Sequence, residues 1–94
     1  MPSSLHSPNY QIFRTLLTHA RVSSGLTQAQ IAEELNKPQS YVSKYERGER
    51  RLDFSEFIEL AGILGIDIAA FVNEYRAALT PAKIHKVKRQ KKIL

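Results

Sequence analysis
The sequence predicts an all-α protein of five short helices. Apolar residues recur at three- and four-residue spacing in five separate stretches. Most of these stretches open on a capping residue and close on Gly or Asn, and strand-like alternation never lasts more than a few residues.

Ser7-Pro8 reads as an N-cap followed by proline at the first helical position. Tyr10, Phe13, Leu16, Leu17 and Ala20 then form an apolar stripe, and Gly25 is suited to a left-handed stop, so helix 1 spans about residues 8–24. Thr27 with Gln30 makes a capping box for helix 2, which turns Ile31, Ala32 and Leu35 inward and closes at Asn36 and Pro38. Helix 3 starts at Pro38 or Gln39, buries Val42 with Tyr45 as a second candidate, and stops at Gly48. Two short helices joined by Asn36-Lys37-Pro38 have the dimensions of a helix-turn-helix. Asp53 with Glu56 opens helix 4, whose expected stripe is Phe54, Phe57, Ile58, Ala61 and Leu64, ending at Gly65. Asp67 caps helix 5, with Ile68, Phe71, Val72 and Tyr75 on one face. The expected organisation is a loose N-terminus over 1–7, one domain over 8–79, and a basic tail over 80–94, read as disordered and solvated or as a basic arm adding phosphate contacts.

The 94 residues suit a single modest core, and without cysteine there is neither a disulfide nor a thiolate metal site. No secretory signal or membrane-length apolar run is visible, so a cytoplasmic location is expected. The net charge of +5 is unevenly placed. Lys83, Lys86, Lys88, Arg89, Lys91 and Lys92 crowd the tail, while the other eight Lys and Arg meet all nine Asp and Glu. Within the predicted domain, Lys37, Lys44, Arg47, Arg50 and Arg51 outnumber Glu46 and Glu49, a local basic patch around helix 3.

The segment GLTQAQIAEELNKPQSYVSKYERGERRLDFSEFIELAGILGID resembles the Cro/C1-type helix-turn-helix family, the XRE class of phage repressors and bacterial regulators. Gly25, Leu26, Thr27, Gln28, Ile31, Ala32, Leu35, Val42, Ser43, Tyr45, Glu46, Gly48 and Arg50 fall on its signature positions. Two positions depart from it: Asn36 replaces the commoner turn glycine, and Pro38 replaces a Ser or Thr cap. The resemblance implies a lambda-repressor-like five-helix fold and a sequence-specific double-stranded DNA binder, a repressor acting as a homodimer on two half-sites.

An α-helix fits the major groove, where glutamine pairs with adenine and lysine donates to guanine. Helix 3 leaves Gln39, Ser40, Ser43 and Lys44 outward. The resemblance puts Gln39, Ser40 and Lys44 on base edges with Ser43 close by. It puts Gln28, Tyr41, Arg47, Arg50 and Arg51 on the phosphate backbone, the arginines in the loop after helix 3. It also implies an orienting pair between Arg21 and Glu46. Other roles for these residues stay open. Polar residues on an exposed helix also solubilise, Tyr41 also suits shielding the turn, Arg47 also suits pairing with an acid, and Arg21 and Glu46 are also compatible with two unrelated surface charges.

His6, His19 and His85 have no metal-ligand spacing, and no catalytic arrangement or cofactor motif is present, so neither an enzyme nor a cofactor is expected. Helix 5 and its flank (Phe71, Val72, Tyr75 and Leu79) are the candidate dimer surface, with closure of the core against helix 1 as the competing role. An antitoxin-like module with a protein partner is the alternative function, and an RNA-associated factor using the lysine-rich tail a further one.

Overall fold
A computed structural model describes residues 7–79. Residues 1–6 of the expected N-terminal extension and the whole basic tail, with His6 and His85, lie outside the described residues, whereas Ser7 is described and caps α1. Five helices follow in order: α1 Pro8–Ser24, α2 Gln28–Leu35, α3 Gln39–Arg47, α4 Phe54–Leu64 and α5 Ile68–Ala78, with no strand among the described residues.

The helix ends are set locally. Ser7, Thr27, Asp53 and Asp67 each accept a backbone N–H in the first turn of their helix, and Thr27 and Asp53 complete reciprocal capping boxes. α3 differs, because Pro38 at its N-cap supplies no side-chain hydrogen bond. At the α2–α3 turn Asn36 sits at φ 60°, where its short polar side chain is tolerated. The Lys37 N–H donates to the Ala32 carbonyl at 2.9 Å and closes the turn.

The core has two connected parts. Ile31 and Ala32 of α2 join Val42 and Tyr45 of α3 against Leu17 of α1, and all five are buried. Burying a side chain of the size of Ile31 or Leu17 stabilises by roughly 1.5–3 kcal/mol. The second part is an aromatic triangle across three helices. Phe13 of α1 lies 5.5 Å from Phe57 of α4 and 5.9 Å from Phe71 of α5, both edge-on. Phe57 and Phe71 are 5.1 Å apart. The Tyr10 hydroxyl accepts the Leu52 N–H at 2.9 Å and ties the α3–α4 connection to α1.

The buried stripe of α4 is rotated from the expected one. Phe57, Leu60, Ala61 and Leu64 face the core, whereas Phe54 is 75% exposed and Ile58 37% exposed. α4 carries apolar residues almost all round, so periodicity alone does not select its buried face. Leu60, absent from the expected stripe, is among the most buried residues, and Leu52 joins the core from the loop. On α5 only Phe71 is buried; Ile68 and Val72 are exposed and Tyr75 is half-buried. Phe71 belongs to the aromatic triangle, the core-closing role that competed with the dimer surface.

Candidate nucleic-acid interface
α3 is amphipathic over its whole length. Val42 and Tyr45 point inward, which leaves Gln39, Ser40 and Lys44 exposed together on the opposite side. Ser43 is half-buried, and its hydroxyl donates to the Ser40 carbonyl at 3.3 Å.

Behind this face runs a polar chain that starts on α1. Arg21 Nε donates to Glu46 Oε2 at 2.7 Å, and its Nη2 reaches Oε1 at 3.2 Å, a bidentate contact. The two side chains are 16% and 8% exposed, so water screens the pair weakly. The Glu46 carboxylate holds the Arg21 guanidinium above its ordinary pKa, chiefly through these hydrogen bonds. Arg21 also donates to the Leu26 carbonyl at 3.0 Å, fixing the start of the α1–α2 connection. Gln28, the first residue of α2, donates from Nε2 to Glu46 Oε1 at 2.8 Å. Its own Oε1 accepts a long 3.5 Å contact from Gln39 Nε2. The chain Arg21–Glu46–Gln28–Gln39 therefore links the body of the fold to the first exposed residue of α3.

The remaining candidate residues lie at the edges of this face. Arg47 is the last residue of α3 rather than part of the following loop, because the helix runs on to the left-handed stop at Gly48. It pairs with Glu49 at 3.0 Å, with both side chains more than half exposed. Arg50 pairs with Glu56 at 2.9 Å and donates to the Arg51 carbonyl. Its guanidinium lies 4.5 Å from the centre of the Tyr41 ring, and Lys37 Nζ lies 5.3 Å from the same ring. Arg50, together with the Asp53 backbone N–H, holds the Glu56 carboxyl below the usual carboxylate range. Partial burial pushes the Tyr41 hydroxyl up, so it stays a neutral donor at physiological pH. Arg51 is exposed and rests 5.0 Å from the Tyr10 ring centre.

Arg14 was not among the sequence candidates. Its Nη1 donates to the Glu46 backbone carbonyl at 2.7 Å. The available signal was its place two turns before Arg21 on the same face of α1.

A short amphipathic helix with a polar outer face, packed across a second helix through a tight turn, defines a helix-turn-helix protein. A helix-turn-helix family model matches residues 17–71. Four solved chains match as well. One is described as an XRE-family like protein from Pseudomonas syringae pv. tomato str. DC3000. It is 38% identical, with a TM-score of 0.73, and the match covers 83% of this chain and 95% of that one. No curated protein matches. The chain belongs to the XRE-type helix-turn-helix family, a class of DNA-binding transcription regulators. Among the described residues no helix is long and apolar enough to cross a membrane.

Proposed function
We propose that the protein is a sequence-specific double-stranded DNA-binding repressor, in which α3 is the recognition helix and Gln39, Ser40, Ser43 and Lys44 read base edges in the major groove. The observation that carries this is the exposed polar face of α3, tied back to α1 by the Arg21–Glu46–Gln28–Gln39 chain. Base readout needs the recognition helix held in a fixed orientation, and the Arg21–Glu46 pair supplies that while the long Gln28 contact orients Gln39 only weakly. Gln28, Tyr41, Arg47, Arg50 and Arg51 flank the face and contact phosphates. For Arg47 and Arg50 that contact requires exchanging the bonds to Glu49 and Glu56.

One such domain reads few base pairs, so the operator contains two half-sites and the active species is a two-fold dimer. Exposed Phe54 and Val72 flank an apolar groove of about 520 Å³ between α1, α4 and α5, which supports placing the dimer contact there. Selecting bound duplexes from a random pool tests the function. A two-fold-related consensus with half-sites about one helical turn apart is expected. The absence of any enriched sequence overturns the proposal.

A further inference from the structure
We propose that Arg14 is a positioning residue for DNA reading: it holds the C-terminal end of the recognition helix through the Glu46 carbonyl, with its guanidinium packed over the Cα of Gly48. This rests on the assignment of α3 as the recognition helix.

The end of a helix leaves its last four carbonyls without intrahelical partners. In α3 these belong to Lys44, Tyr45, Glu46 and Arg47. The left-handed cap supplies two of them: the Gly48 N–H serves Lys44 and Tyr45, and the Glu49 N–H donates to Lys44 at 2.8 Å. Glu46 is not served by this cap, and Arg14 reaches its carbonyl from α1 at 2.7 Å. A guanidinium there also places positive charge at the negative end of the helix dipole. Arg14 Nε is buried without a hydrogen-bond partner, so the group's place is set by this carbonyl and by packing.

Gly48 provides an independent observation. A Cβ built on it would lie 2.9 Å from Arg14 Cζ, 3.0 Å from Nε and 3.2 Å from Nη2. Gly25 and Gly65 have the same left-handed backbone, yet a Cβ on either would meet nothing within 4 Å. Gly48 is therefore constrained by its φ of 82°, and a side chain there would in addition have to push the Arg14 guanidinium aside.

Arg14 and Arg21, on one face of α1, grip the backbone and the carboxylate of the same residue. Two anchor points at the end of α3 restrict both its rotation and its tilt. Gln39 lies two turns away, about 10 Å along the helix axis. A tilt of about 10° at the anchored end displaces it by about 2 Å, beyond the tolerance of a base-reading contact.

The test compares Arg14→Met, Arg14→Lys, Gly48→Ala and Gly25→Ala in the full chain, at a temperature where each is folded. Affinities for the selected operator and a scrambled duplex are measured, together with backbone amide resonances of the free protein. Arg14→Met is expected to lower the operator-to-scrambled preference by about tenfold and to move the amides of residues 45–49, and Arg14→Lys to recover part of both. Gly48→Ala is expected to lower the unfolding midpoint more than Gly25→Ala, with the excess disappearing in the Arg14→Met background. Parental preference and unmoved α3 amides in Arg14→Met overturn the proposal, whatever its unfolding midpoint. So does a Gly48→Ala no costlier than Gly25→Ala. If the parent itself enriches no duplex, the DNA-reading role falls and the positioning role with it. The amide and glycine measurements then show separately whether Arg14 holds the helix end.

Discussion
Two faces of α1 hold the rest of the molecule by different means. On one, Phe13 meets Phe57 and Phe71 in an apolar cluster that depends on shape and area. On the other face, Arg14 and Arg21 hold α3 by directed bonds to a single residue, Glu46. Apolar contact is non-directional and loses little when neighbours shift slightly. A bidentate ion pair is lost with small changes of angle, so it specifies orientation where packing specifies only proximity. The half that needs only to exist is built from phenylalanine. The half that must point is built from arginine, glutamate and glutamine.

Breaking the apolar half has the largest expected effect. Phe57→Ala leaves a cavity facing Phe13 and Phe71 and is expected to cost ~3–5 kcal/mol, a large part of the stability of a domain this small. Denaturant unfolding measures it. A loss below about 1 kcal/mol would mean that the triangle is not the centre of this half.

Breaking the polar half comes next. Glu46→Ala leaves Arg21 without its carboxylate and Gln28 without its acceptor. Removing one partner of a fully buried pair costs ~3–5 kcal/mol; with Arg21 16% exposed, about 2–3 kcal/mol is expected. A thermal midpoint equal to the parent's would reduce the pair to a surface contact.

Gln39→Ala separates stability from reading. The side chain is exposed and its contact with Gln28 is long, so folding is expected to change by less than about 0.5 kcal/mol. Operator binding is expected to weaken by ~1–3 kcal/mol, with relaxed preference at one base pair. An unchanged selected consensus would rule out the proposed docking.

The smallest effect concerns pH. Arg50 depresses the Glu56 pKa in the folded chain, so this pair stabilises above the usual carboxylate range and its contribution disappears as pH falls through the lower folded value. The side chains are 38% and 27% exposed, which limits the contribution to less than about 1 kcal/mol. Glu56→Gln keeps the capping-box geometry but removes the charge. Its stability is expected to fall less than the parent's between about pH 6 and pH 3. Parallel profiles would show that another carboxylate governs the acid limb.

The local half of this architecture was legible in the sequence. Ser7, Thr27, Asp53 and Asp67 act within one turn of themselves, as do Gly25, Asn36, Gly48 and Gly65, so the helix boundaries followed from neighbours. The buried side of α4 was not legible, because a helix apolar on most sides offers several stripes and only tertiary packing chooses among them. Arg14 was hidden for a related reason. Its partner is a backbone carbonyl far along the chain, and backbone atoms leave no trace in a sequence. The Arg50–Glu56 contact was missed because Glu56 already had a role as a cap, and the sequence does not show that one carboxylate serves both.

The outward side chains of α3 contribute almost nothing to the core; α3 buries only Val42 and Tyr45 there. A lineage can therefore exchange Gln39, Ser40 or Lys44 with little penalty in folding, and under the proposed docking such an exchange would change which sequence is recognised while the body of the fold is inherited intact. The positions that resist such drift are the inward ones and the arginines that hold them. Divergence of specificity in this chain is then a problem of the few exposed letters, open to small evolutionary steps.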